Sequence, residues 1–279
     1  MKNSLLHVFR NTPRGAETFR QALYFSGRTG LGLRVHFPEG RAFVLCVGDE
    51  AIHVDLDESY RFDPSSARDR AEAIGLEMGV EWQEQAATGQ TASTLPDLQG
   101  DWALFSLPRS MNSPQPHPWI PSAVLGPRVR AVIGRAALPI LLPAACLIPW
   151  EQIWVPCGGT EYGERTLRWG ARLARDAGVP LRVVTWEAGR PLEQALERLR
   201  SDPTLAIPKD AWVQEQSVAL RDLLQDIPRT ALVGFGAFGD GRVRQKNFGS
   251  QAELVLQTLP HNLLMVGPRC RAPLTDFNR

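Results

Sequence analysis

Residues 230–267 read TALVGFGAFGDGRVRQKNFGSQAELVLQTLPHNLLMVG. Thr230–Gly234 is an apolar strand that runs into a glycine-rich loop. The loop closes at Gly249-Ser250, and apolar residues then recur at helical spacing as far as Thr258. Ser250 and Glu253 stand at capping-box spacing, which puts Ser250 at the helix cap. Asn262–Val266 is another apolar strand. Backbone N–H groups at a glycine loop and at a helix amino end attract anions. Gly236 and Gly239 carry no side chain to hold phosphate oxygens away from the backbone. The Ser250 hydroxyl can donate to a phosphate, and Arg242, Arg244 and Lys246 can add charge or simply solvate the loop.

Upstream, strands and helices alternate. Gln152–Cys157 is a strand. Thr160 is a helix cap with Glu161 and Glu164 in the first turn, where the helix dipole favours anions. Leu167, Ala171 and Ala174 follow at helical spacing, and Gly178 stops the helix. Leu181–Trp186 and Ala211–Gln216 are strands; Pro191–Arg200 and Val218–Asp226 are helices. Such alternation implies β-α crossovers and a parallel sheet covered on both faces.

The first half repeats this plan faintly. At an offset of 148, Thr12 lies over Thr160, Arg20 over Arg168, and Gly30-x-x-Leu33-Arg34-Val35 over Gly178-x-x-Leu181-Arg182-Val183. Trp82-Gln83-Glu84-Gln85 resembles Trp212–Gln216 with a slip. Ala103-Leu104 lies over Ala231-Leu232, and Gly126 over Gly249, by which point the offset has shrunk to 123. The excess in the first half centres on AFVLCV and AIHVDL around Gly48-Asp49-Glu50, which reads as an inserted hairpin near 41–60. A strand at Leu138–Leu142 ends at Pro143, and a Pro-punctuated joint spans 144–150. Two domains result, 1–143 and 150–270.

Composition sets the outer bounds. The chain has 279 residues, 43% apolar and 22% charged, with a net charge of +1. Fibrous and disordered classes are excluded, and no basic surplus points to nucleic acid or acidic membranes. The most apolar run, Ala136–Trp150, carries three prolines and is too short for a bilayer span. The amino-terminal residues show no signal-peptide pattern. The four cysteines (Cys46, Cys146, Cys157, Cys270) lack zinc spacing and read as reduced thiols. A cytoplasmic protein is expected.

Three phosphate motifs compete for the glycine loop. A Walker loop needs Lys-Ser/Thr after its last glycine, but Arg242-Val243 follow Gly241. Gly234-x-Gly236-x-x-Gly239 spells a dinucleotide fingerprint, yet the helix opens only at Ser250 and no acidic residue ends the next strand. The third pattern, Gly236-x2-Gly239-x9-Gly249-Ser250, resembles the nucleotide-phosphate motif of the universal stress protein family at every fixed position. Val155-Pro156-Cys157-Gly158-Gly159-Thr160-Glu161 is similar to that family's opening motif. The resemblance is strong from 150 to 270 and faint before 143.

The resemblance implies a tandem protein of two five-stranded parallel-sheet domains, each in strand order 3-2-1-4-5 with helices on both faces, packed as an intramolecular pseudo-dimer; a homodimer of the whole chain is a further expectation. It implies a stress-linked regulatory role and ATP or a related adenine nucleotide, with Mg alongside ATP. Contacts to base and sugar would fall on Pro156, Cys157, Gly158 and Trp186, and contacts to phosphate on Gly236, Gly239, Gly249 and Ser250. Gly158 replaces the family's Asp, and loss of such a bond costs ~1.5–3 kcal/mol, about ten- to hundred-fold in affinity. In the first half Pro108, Met111 and Pro127 replace motif residues and Arg10 falls near the Asp position, so no nucleotide is expected there. Cys157 has a reading as a reactive thiol beside a helix amino end and a plainer one as a small buried residue. No general base, nucleophile or metal set accompanies the loop, so no reaction is assigned. A non-binding scaffold and a dinucleotide-dependent oxidoreductase using Gly234–Gly239 remain the alternatives.

Overall fold

A computed structural model describes residues 4–39, 42–47, 50–55, 64–90, 96–109, 125, 127–185, 190–214, 219–238 and 249–273. Helix α1 (Pro13–Thr29) starts where the Thr12 hydroxyl accepts from the amide of Gly15 and stops at Gly30, whose φ of 70° is left-handed. Helix α4 (Glu161–Ala177) starts and stops in the same way, at Thr160 and at Gly178 with φ 63°. The other helices are α2 (Pro64–Met78), α3 (Pro127–Arg135), α5 (Arg190–Ser201), α6 (Leu220–Gln225) and α7 (Ser250–Thr258).

Ten strands form one mostly parallel sheet. In chain order they are β1 (Ser4–Val8), β2 (Gly32–His36), β5 (Trp82–Glu84), β8 (Trp102–Ser106), β9 (Ile140–Leu142), β10 (Gln152–Pro156), β11 (Leu181–Thr185), β12 (Trp212–Gln214), β13 (Ala231–Gly236) and β14 (Asn262–Val266). Their spatial order is β12-β11-β10-β13-β14-β9-β8-β1-β2-β5. The order 3-2-1-4-5 therefore occurs twice, and the two runs meet at their fifth strands.

That meeting is antiparallel and symmetric. Leu264 faces Leu141, Leu263 faces Leu142 and Met265 faces Ile140. The ladders also say which residues correspond. Leu5 pairs with Leu33 and Leu104, as Ile153 pairs with Leu181 and Leu232. Phe105 pairs with Ile140, as Val233 pairs with Leu263. Leu141 and Leu264 are thus counterparts that face each other, so a local two-fold axis runs between them.

Both faces of the sheet are buried over its central strands, while at the edge Gln83 and Glu84 of β5 are exposed. On one side Phe19 and Leu23 of α1, Ile74 of α2, Leu167 of α4 and Leu196 of α5 share a core with Leu5, Leu141, Ile153 and Leu264. On the other, Val132 of α3, Leu223 of α6 and Val255 of α7 pack with Leu6, Ile140, Val233 and Leu263. Strand alternation separates the two sets, as a two-sided sheet requires. The joint at 144–150 is held down as well. Glu17 and Gln21 of α1 accept from the amides of Leu147 and Ile148, and Asn262 bonds Ala144 and Ile148. Trp150 is fully buried.

A second sheet has the order β4-β3-β7-β6, where β3 is Ala42–Val47, β4 Glu50–Asp55, β6 Gly89–Gln90 and β7 Pro96–Gln99. Strands β3 and β4 pair antiparallel, as do β6 and β7, and Phe43, Leu45, Ile52, Val54 and Leu98 cover the α3 side of the main sheet. The sequence reading reached β3 and β4 but not β6 and β7, which are very short and begin or end at Gly and Pro.

Two expectations need correcting. Ser250 is the first residue of α7, not its cap: Gly249, which has no side chain, is the cap, and Ser250 is exposed. Glu253, the other half of the supposed capping box, pairs instead with Arg130. The likeness of Trp82 to Trp212 is out of register too. Leu33 faces Trp82, whereas Trp212 faces Val183, the counterpart of Val35.

Candidate functional site

The site is built where the sheet order reverses, at the carboxyl ends of β10 and β13, the usual place for a ligand crevice in an open α/β sheet. Strand β10 ends in Pro156, and the amide of Cys157 extends its ladder by donating to Val184 at 2.8 Å. The chain then turns through Gly158 and Gly159. Gly159 has φ 74°, and a Cβ there would lie 2.8 Å from Leu192 Cδ1, so both conformation and space demand glycine. Thr160 starts α4, and its helix amino end faces the crevice.

Strand β13 ends in Gly236, directly over that helix start. A Cβ on Gly236 would lie 3.0 Å from Tyr162 Cβ and 3.5 Å from the amide nitrogen of Gly163. A Cβ on Gly163 would in turn lie 3.9 Å from the amide nitrogen of Gly158. Gly236, Gly163 and Gly158 are thus stacked in a narrow glycine column. Gly236 was read from sequence as room for phosphate; its visible duty is close packing against Tyr162, which is buried.

The far side of the glycine loop is fixed at its base. The amide of Ala237 donates to Val266 O at 3.0 Å and that of Gly249 donates to Ala237 O at 3.0 Å. The Gly249 N–H therefore closes the loop and does not face a ligand. The Gly249 carbonyl accepts from Glu253 within α7, so the amides of Ser250, Gln251 and Ala252 lie in the helix's first turn, behind a cap residue without a side chain. Arg165 ties the neighbouring turn by donating to Pro268 O at 2.8 Å and Cys270 O at 3.2 Å.

Among the sequence-derived site residues, Pro156, Cys157, Gly158, Gly236, Gly249 and Ser250 come together at this end of the sheet. Trp186 and Gly239 lie outside the described residues, as do Arg242, Arg244 and Lys246. Cys157 is fully buried, and burial pushes its thiol pKa up, with the Gly159 backbone contact opposing. It is a packed thiol whose burial disfavours the thiolate, which goes against the reactive-cysteine reading. Gly234 and Gly236 both lie inside β13, and α7 begins only at Ser250. A dinucleotide fingerprint needs those glycines in the strand-to-helix turn, so the geometry does not fit one. Tyr162 and Gly163 were not singled out in the sequence; a glycine three residues past a Thr cap was the available signal.

No family model and no curated protein sequence matches this chain. Solved structures do. A universal stress protein from Archaeoglobus fulgidus DSM 4304 is similar over 96% of this chain and 99% of its own, with a TM-score of 0.60 and 14% identity. A candidate universal stress protein from Pseudomonas aeruginosa UCBPP-PA14 is similar over 96% of this chain and 94% of its own, with a TM-score of 0.58 and 16% identity. A functionally unknown protein from Pseudomonas aeruginosa PAO1 is similar over 96% and 93%, with a TM-score of 0.56 and 17% identity. No helix among the described residues is long and apolar enough to cross a membrane. The sheet order and these likenesses together give the chain the α/β fold of the universal stress proteins.

Proposed function

We propose that the protein is a stress-linked regulatory protein that binds an adenine nucleotide of the ATP or AMP type in its second half. In this reading residues 1–143 and 150–270 are two domains joined as a pseudo-dimer. The observation that supports the nucleotide is the glycine column Gly236–Gly163–Gly158 beside the first turn of α7, whose cap residue, Gly249, carries no side chain. The glycines bring the start of α4 close against the ends of β10 and β13, and the first-turn amides of α7 supply donors and a positive dipole end for phosphate. The Ser250 hydroxyl, exposed at the first helical position, adds a donor from the rim. The turn after Pro156 and Cys157, partly open at Gly158, would offer its backbone to the base and sugar. A Mg ion with ATP would be carried by the nucleotide's own phosphates.

Calorimetric titration with ATP, AMP and NAD tests this. Gly249 has φ −69° and ψ 143°, a backbone that any residue adopts, and Asp is a good helix cap. Gly249→Asp should therefore fold normally and put a carboxylate where the phosphates lie. The expected result is ATP or AMP binding that weakens about tenfold or more in Gly249→Asp. Absence of heat with either nucleotide would leave the scaffold reading, and preference for NAD would overturn the site as drawn.

A further inference from the structure

Beyond the fifth strand of each half the chain lies along that half's first helix, and the two passages correspond. Leu264 is the counterpart of Leu141, so at the same offset of 123 Cys270 answers to Leu147 and Arg271 to Ile148. On the helices, at the offset of 148, Arg165 answers to Glu17 and Trp169 to Gln21. In the first half Glu17 and Gln21 accept from the amides of Leu147 and Ile148. In the second half the polarity is reversed. Arg165 donates to the carbonyl of Cys270 at 3.2 Å, and Trp169 Nε1 donates to that of Arg271 at 2.9 Å. The same positions thus make the same clasp with donors and acceptors exchanged.

The reversal puts a cation where the first half has a carboxylate, and that cation is shared. Arg165 also donates to Pro268 O at 2.8 Å, pairs with Glu161, and lies over the Tyr162 ring with its Cζ 5.8 Å from the centroid. Glu161 stands in the first turn of α4, at the crevice, and Tyr162 packs against Gly236. The segment after β14 also reaches the first half. The amide of Arg271 donates to Ala137 O at 3.0 Å, and a Cβ on Gly267 would lie 1.8 Å from Ile133 O of α3. Its start adjoins the base of the glycine loop, because Val266 O accepts from Ala237. Arg165 therefore stands between the crevice and a clasp that closes on the first half.

We infer that residues 267–271 form a clasp that senses occupancy of the second-half crevice and passes it to the first half, with Arg165 as the link; this rests on the nucleotide reading of the second half. Neutral carbonyls hold Arg165 in the clasp, and a phosphate is the stronger, charged acceptor. Phosphate beside the amino end of α4 also repels the Glu161 carboxylate. Both effects draw the guanidinium from Pro268 and Cys270 toward the crevice. The clasp then loosens, while the contacts of Glu17 and Gln21 in the first half stay closed. Linkage makes the coupling reciprocal, so whatever loosens the clasp tightens the nucleotide.

The test is hydrogen–deuterium exchange of the full chain with and without saturating ATP, and with AMP in parallel, alongside calorimetry. The bound nucleotide should speed exchange at the Arg271 amide about tenfold or more and leave the amides of Leu147 and Ile148 unchanged. Arg165→Met should exchange fast at Arg271 without nucleotide and gain nothing from it. Trp169→Phe removes the bond to Arg271 O and keeps Arg165; it should bind the nucleotide about threefold more tightly than the parent. A parent that binds either nucleotide without faster exchange at Arg271 overturns the clasp and leaves the nucleotide reading standing. Trp169→Phe with unchanged or weaker affinity overturns it equally, as does Arg165→Met that exchanges as slowly as the parent or keeps the parent's response. A parent that binds neither nucleotide overturns the nucleotide reading and the clasp together.

Discussion

The carboxyl ends of β10–β13 and β1–β8 occupy the same place in two runs of the same strand order. One is floored by glycine, with carboxylates on its helix start; the other has buried Arg10, Arg14 and Arg109, with no carboxylate in the first turn of its helix. The Thr caps, the Gly stops and the strand registers agree between the halves, while the groups facing the crevices do not. Scaffold and site have therefore changed independently: residues that satisfy backbone or core are alike in both halves, and residues that would meet a ligand differ.

The symmetry at the seam gives the largest expected effect. Leu141 and Leu264 are both fully buried and face each other across the two-fold axis. Leu141→Asp and Leu264→Asp each bury an unpaired carboxylate and should each cost about 4 kcal/mol or more by chemical denaturation. Unequal losses would show that the halves do not share the seam equally.

Gly15 and Gly163 are counterparts in the first turns of α1 and α4. A Cβ on Gly15 would run into the backbone carbonyl of Arg10, while one on Gly163 would come no nearer than 3.3 Å to Thr160 Oγ1 and 3.6 Å to Cys157 Sγ. Gly15→Ala should cost about 3 kcal/mol and Gly163→Ala under about 1 kcal/mol. Equal costs would mean that the loop before α1 yields as easily as that before α4.

Acid separates the halves as well. His7, bonded to Ser106, stands where the second half has Val155, opposite Gly234. Burial lowers the His7 pKa to about 3, and burial above all lowers that of His261 to about 4. The unfolded chain binds these protons near pH 6.5 and the folded chain does not. Stability is therefore full above pH 6.5 and falls as the pH drops toward 4, by about 1.4 kcal/mol per pH unit for each histidine. His7→Val should remove one such share from the pH dependence of the denaturation midpoint. An unchanged slope would show that His7 finds a proton acceptor in the folded state.

The smallest difference expected is none. Thr12→Ala and Thr160→Ala each lose one cap bond and should each cost about 1 kcal/mol. Divergence beyond a few tenths would show that one helix start is held by more than its cap.

What could be read from sequence was mostly local. Thr160, Gly178, Thr12 and Gly30 announce helix ends because capping depends on a few neighbouring atoms, and strand β14 and helix α7 fall on the expected residues. Ser250 misled because the capping-box pattern holds two residues, while the backbone chose Gly249 and Glu253 found Arg130. Strands β6 and β7 escaped notice because their pairing is tertiary and their length offers no periodicity. At the sites, the glycine spacing was legible but the packing of Gly236 on Tyr162 was not. The burial of Arg14 and Arg109 was not foreseen, since nothing local says that an arginine will be buried.

The seam between β9 and β14 has a further consequence. In an assembly of two identical chains across such an axis, every substitution would be written on both sides, and a change that suits one crevice would be imposed on the other. Within one polypeptide each side mutates alone, so a glycine floor and an arginine floor can coexist on a common frame. The edge that identical chains would use to pair is also already occupied. Among the described residues, what stays open at the borders of the main sheet is β12 and β5, three residues each, and short edges of that kind are poor templates for another sheet.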